Sequence, residues 1–184
     1  MYKALLTVLA LAATPVLATG IEINVEGEGA NGVIVIDLFE DVAPAHVKRI
    51  ANLAAEGKYD GVAFHRVIDG FMAQTGDVQF ANITDYDSNA AGRGGSEYPD
   101  IKAEFSEKPF VRGTVGMARS QDVNSANSQF FIMFDRGDFL NGQYTVVGEV
   151  TSGLEVLDQI KRGQSQSGAI AGAPDVMKSV VVTN

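Results

Sequence analysis

The chain has 184 residues, 46% hydrophobic and 20% charged, the length and mixture of one folded domain and not of a disordered polymer. Its 23 acidic residues outnumber 14 Lys and Arg, and the net charge of −9 repels phosphate backbones, which argues against nucleic acid as a partner. With no Cys and only His46 and His65, disulfides, thiolate chemistry and multi-histidine metal centres are excluded; neither metal nor cofactor is expected.

Met1-Tyr2-Lys3 carries one positive charge and precedes the apolar run Ala4 to Leu17. Val16-Leu17-Ala18 then offers small or medium residues to a signal peptidase, so residues 1–18 read as a signal peptide and residues 19–184 as the mature domain. The run is too short for a comfortable membrane span. Export is expected, to a bacterial periplasm first and full secretion second, with no membrane contact after cleavage.

Ile21, Ile23 and Val25 alternate with Glu22, Asn24 and Glu26, the period of a half-buried strand. Gly27, Gly29 and Gly32 formally make a dinucleotide-type glycine motif, but a β-branched strand follows where such a site needs a helix. The glycines are therefore read as a hairpin turn into Val33 to Phe39. A helix is predicted from Pro44, with Asp41 upstream and Val47, Ile50, Ala51 and Ala54 on one face, ending at Gly57. His46, beside Lys48 and Arg49, falls on its solvated face. Strands are predicted over 61–67, 114–118, 130–134, 144–150 and 177–183. A second helix is predicted from Ser152, with capping-box spacing to Glu155 and an end at Gly163. Many strands and two helices indicate an all-β core with helices over its ends.

The segment Phe64-His65-Arg66-Val67-Ile68 to Asp77 sets a guanidinium, Phe71, Met72 and the Gln74 amide within nine positions. On a continuous strand Phe64 and Arg66 share one face, and His65 is a hydrogen-bonded core residue on the other. No nucleophile elbow occurs, and neither His stands in a recognisable triad.

Together with Gly116-Met117-Ala118, Ser128-Gln129-Phe130-Phe131-Ile132 and Phe139-Leu140-Asn141-Gly142, this segment resembles the cyclophilin family of peptidyl-prolyl isomerases over residues 21–184. The resemblance implies an eight-stranded antiparallel barrel closed by two helices, with an active groove on the barrel's outside. It implies that Arg66 is the catalytic arginine, grouped with Phe71 and Gln74. Phe71, Met72, Phe130, Phe139 and Leu140 would line the proline pocket, leaving Phe131 to the core. Gln74 and Gln129 would hold the substrate backbone, with the main chain around Ala118 and Arg119 and the Tyr144 hydroxyl. The implied partners are unfolded or proline-containing polypeptides. Cyclosporin should bind weakly, because Phe139 stands where many members carry a Trp N–H. A monomer is expected, since no apolar stripe is left over.

Overall fold

The structure is a computed structural model that describes residues 19–164 and 166–183. The predicted leader, residues 1–18, lies outside the described residues. The elements in chain order are β1 (Gly20–Glu26), β2 (Gly32–Leu38), α1 (Pro44–Ala55), β3 (Val62–Ala63), β4 (Arg66–Ile68) and β5 (Met72–Thr75). They continue as β6 (Thr114–Met117), β7 (Phe130–Met133), a 3-10 turn (Asp138–Leu140), β8 (Val146–Ser152), α2 (Leu154–Gln159) and β9 (Val176–Thr183).

The nine strands of the described residues form one antiparallel sheet in the order β3-β9-β1-β2-β8-β6-β7-β5-β4. Its two end strands, β3 and β4, are separated in sequence only by Phe64 and His65. They are one interrupted strand whose halves pair with opposite ends of the sheet, so the sheet curls shut and the count returns to the expected eight. Closure removes the free edges that an open sheet would expose. The interruption also corrects the shared face predicted for Phe64 and Arg66. Phe64 is fully buried in the main core, whereas the Arg66 side chain faces outward.

Inside the barrel, Ile21, Ile23, Ile34, Ile36, Val115, Phe130 and Ile132 form the core, with α1 packed on β1 and β9 and α2 on β2. Two local expectations fail. The capping box at Ser152 does not form, because Ser152 is the last residue of β8 and pairs with Val35. Gly153 caps α2 instead, at φ 90, where a Cβ would lie 2.2 Å from the Val33 carbonyl oxygen. That helix ends at Gln159, before the predicted Gly163.

His46 is fully buried, not solvated. Its Nδ1 lies 2.7 Å from Oε2 of Glu104, and the same carboxylate accepts the backbone N–H groups of Ala45 (3.1 Å) and His46 (3.2 Å). A residue 58 positions away thus caps the N-terminus of α1, where Pro44 takes the first helical position and no side chain of the helix itself caps. Burial holds the His46 imidazole below its ordinary pKa, partly offset by Glu104, so the neutral ring donates from Nδ1. Glu104→Ala should cost about 2–3 kcal/mol, through three unmet donors and a lost charge at the helix terminus. For a domain of this size Tm should fall by roughly 4–12 °C in thermal unfolding. A change under about 1 °C would show that the cap carries no weight.

Candidate active site

The pairing register decides which side chains meet outside the barrel. Arg66 on β4 faces Gln74 on β5, Gln74 faces Phe131 on β7, and Phe131 faces Gly116 on β6. Directly opposed residues share a sheet face, so these four form one row across the outer surface. One step along each strand, Met72 and Met133 make a parallel row. Phe130 is opposite Thr75 and Met117 and points inward. It is wholly buried, edge-on to Tyr59 at 5.6 Å.

The predicted roles of the two phenylalanines are therefore exchanged. Phe131 lines the outer depression and Phe130 belongs to the core. Phe131 is stacked on Phe110 at 5.7 Å and meets Tyr144 edge-on at 5.8 Å. Gly116 makes room for this pair, since a Cβ there would stand 2.6 Å from both Phe110 and Phe131. Met72, Phe110, Phe131, Met133, Leu140 and Val146 form a second apolar cluster, separate from the barrel interior.

This cluster floors a depression of about 280 Å³. Arg66, Phe71, Met72, Gln74, Ala118, Arg119, Phe139, Leu140 and Tyr144, all predicted for the site, line it with Phe131. Phe139 forms the rim. It is 70% exposed, with its ring 5.5 Å from Phe71. A larger groove of about 760 Å³, between the end of α1 and residues 95–98, holds none of these residues.

The polar wall is a chain of hydrogen bonds. Arg66 donates from Nη1 to Oε1 of Gln74 (3.1 Å), and Nε2 of Gln74 donates to Oε1 of Gln129 (2.9 Å). Nε2 of Gln129 donates to the Gly94 carbonyl (2.8 Å), so this nearly buried amide, read in sequence as a backbone holder, spends both ends fixing its neighbours. Arg66 is anchored a second time, from Nε to the Ser167 carbonyl at 2.9 Å. Partial burial pulls its guanidinium below the ordinary value, offset in part by Tyr144, yet an arginine so placed keeps its charge at neutral pH.

His65 is a core residue as expected, but neither ring nitrogen makes a hydrogen bond of normal geometry. Burial lowers its pKa, with the Asp77 carboxylate opposing. Sequence reading missed Phe131, the supporting Phe110 and Gly116, and the Ser167 anchor; only the alternation around Phe131 carried a usable signal. Among the described residues no group of three or more His, Asp or Glu could hold a metal, and no helix is long and apolar enough to cross a membrane.

The family model described as cyclophilin type peptidyl-prolyl cis-trans isomerase/CLD matches residues 21–182. A probable peptidyl-prolyl cis-trans isomerase of Brucella suis is 58% identical over 82% of this chain and 78% of its own length. Peptidyl-prolyl cis-trans isomerase B of Escherichia coli is 36% identical over 71% of this chain and 79% of its own. A cyclophilin type isomerase of Cryptosporidium parvum, solved in the presence of the dipeptide Ala-Pro, superposes with a TM-score of 0.74 at 27% identity. That match covers 90% of this chain and 99% of the other.

Proposed function

We propose, on the premise that this chain belongs to the cyclophilin family and is a peptidyl-prolyl cis-trans isomerase, that it speeds the folding of proline-containing polypeptides after export. The observation that carries the reading is Arg66, a doubly anchored cation beside an apolar notch.

An Xaa-Pro bond rotates slowly because amide resonance must be broken, against a barrier of about 18–20 kcal/mol. At the half-rotated stage the proline nitrogen loses conjugation and gains a lone pair. Arg66 donates a hydrogen bond to that nitrogen, and the bond is stronger there than in either planar isomer. Only this difference accelerates the step. Phe71, Met72, Phe131 and Leu140 receive the pyrrolidine ring and shed its water, with Phe139 at the edge. Gln74 holds the substrate backbone while Gln129 fixes Gln74. The Ala118 N–H is bonded to the Gln129 carbonyl at 2.9 Å, so Ala118 serves substrate through its carbonyl, next to the main chain of Arg119. Tyr144 adds its hydroxyl. No covalent intermediate is required. Phe139 offers no N–H, so cyclosporin binds this groove weakly.

The signal-like residues 1–18 support export, and the open groove supports action on unfolded clients. The test has two arms. Purified residues 19–184 should shorten the proline-limited phase of a refolding protein, and a tagged full chain should fractionate with the periplasm or the medium. An unaltered slow phase overturns the folding role, and cytoplasmic retention overturns export.

A further inference from the structure

A second cavity, of about 380 Å³, adjoins the proline notch and shares Gln74, Ala118 and Arg119 with it. Its lining includes two cations, Arg93 and Arg119, and no carboxylate, in a chain whose net charge is −9.

Arg119 is held in place. Nε and Nη2 donate to the Gln143 carbonyl (3.3 and 3.0 Å), Nη1 donates to the Ser120 carbonyl (2.9 Å), and the guanidinium lies 4.4 Å from the centre of the Tyr144 ring. Carbonyls do not neutralise it, and three of its five N–H groups are used. The described ion pairs of arginine involve Arg112, Arg136 and Arg162, not Arg93 or Arg119. Arg93 is exposed on a backbone that is itself fixed, because Asp77 Oδ2 accepts the N–H groups of Gly92 (2.7 Å) and Gly94 (3.0 Å). The Arg119 charge is therefore set in position before substrate arrives, and Arg93 reaches the cavity from a fixed stretch of backbone.

We propose that this cavity selects an Asp or Glu side chain close in sequence to the isomerised proline, by ion pairing with Arg93 and Arg119. The proposal rests on the isomerase reading and adds a substrate preference to it. An extended chain advances about 3.3–3.6 Å per residue, so a side chain within two or three positions of the proline spans from the notch into the neighbouring cavity. The overall negative charge of the protein repels acidic peptides wherever their carboxylates lie. The cavity, by contrast, acts over about one Debye length, ~8 Å at physiological salt. Position along the peptide therefore separates the two effects.

The test measures exchange rates by NMR on proline peptides of equal net charge. A single Glu is placed in turn at two and three residues on either side of the proline, or six residues away; a peptide with Ala throughout is the neutral reference. At low salt the best near position should exceed the remote one by about fivefold in kcat/KM, the yield of two partly exposed ion pairs. The excess should shrink at 0.5 M NaCl, roughly a 4 Å screening length. In Arg93→Glu the near-to-remote ratio should fall to one or below. A ratio within about twofold of one in the native protein, or one unchanged by Arg93→Glu, overturns the proposal while turnover of the neutral peptide leaves the isomerase reading standing. Failure to turn over the neutral peptide removes that reading and this preference with it.

Discussion

Arg66→Ala should lower kcat/KM for an Xaa-Pro peptide by about ten- to a hundredfold, the effect of losing a charge-assisted hydrogen bond, worth about 1.5–3 kcal/mol, that is strongest in the transition state. The barrel should survive. Arg66 lies on the outer face, and the contacts it gives up, to the Ser167 carbonyl, the Gln74 amide and the Met72 sulfur, are all at that surface. Arg66→Lys should recover little. The native side chain binds Ser167 through Nε and Gln74 through Nη1 at once, and a lysine ammonium on its flexible stem cannot span both while facing the notch. A protease-coupled assay on the wild type and both variants, with circular dichroism as the folding control, decides the matter. A loss below about threefold in Arg66→Ala, well under 1 kcal/mol, would remove the arginine from the chemistry.

Asp77→Ala should damage stability more than Glu104→Ala. Asp77 is fully buried, and its carboxylate accepts four backbone N–H groups. Oδ1 serves Gln79 (3.1 Å) and Phe80 (3.0 Å), and Oδ2 serves Gly92 (2.7 Å) and Gly94 (3.0 Å). Alanine leaves all four donors without this partner, at about 3–5 kcal/mol in total, which lowers Tm by roughly 6–20 °C. Asn keeps the shape but turns a donor toward donors, so Asp77→Asn should fall between. Activity should drop too, because Gly94 anchors Gln129 and Gln129 anchors Gln74. A Tm within about 2 °C of wild type in the alanine variant would refute the role assigned to this carboxylate.

Much of the architecture was legible because β1 and β2 bury one face and expose the other, and their alternation survives in sequence. β7 is different. All four of its residues, Phe130 to Met133, are buried, because the barrel core lies behind and the Phe110–Leu140 cluster lies in front. Period-two reading has no polar face to orient by there, and Phe130 was exchanged for Phe131. The break at Phe64–His65 was hidden for a similar reason. The run looks continuous, and only its pairing with β9 on one side and β5 on the other divides it. His46 was misplaced because its neighbours Lys48 and Arg49 are charged, while the residue that covers it, Glu104, is 58 positions away. Arg66, Met72 and Gln74 stand in one compact run of unlike side chains that is visible without knowing the fold, whereas Leu140 and the site roles of all four came only with the resemblance. Ser167 was not found, since what it offers Arg66 is its main-chain carbonyl.

The notch is shallow, and its outermost ring, Phe139, stands mostly in solvent. A client need not be threaded by an end. An Xaa-Pro bond in the middle of a chain can be laid sideways against the wall and turned there. On the folding role proposed above, what such a shape gives up in grip it returns in access, since a bend needs only to reach the wall to be received there.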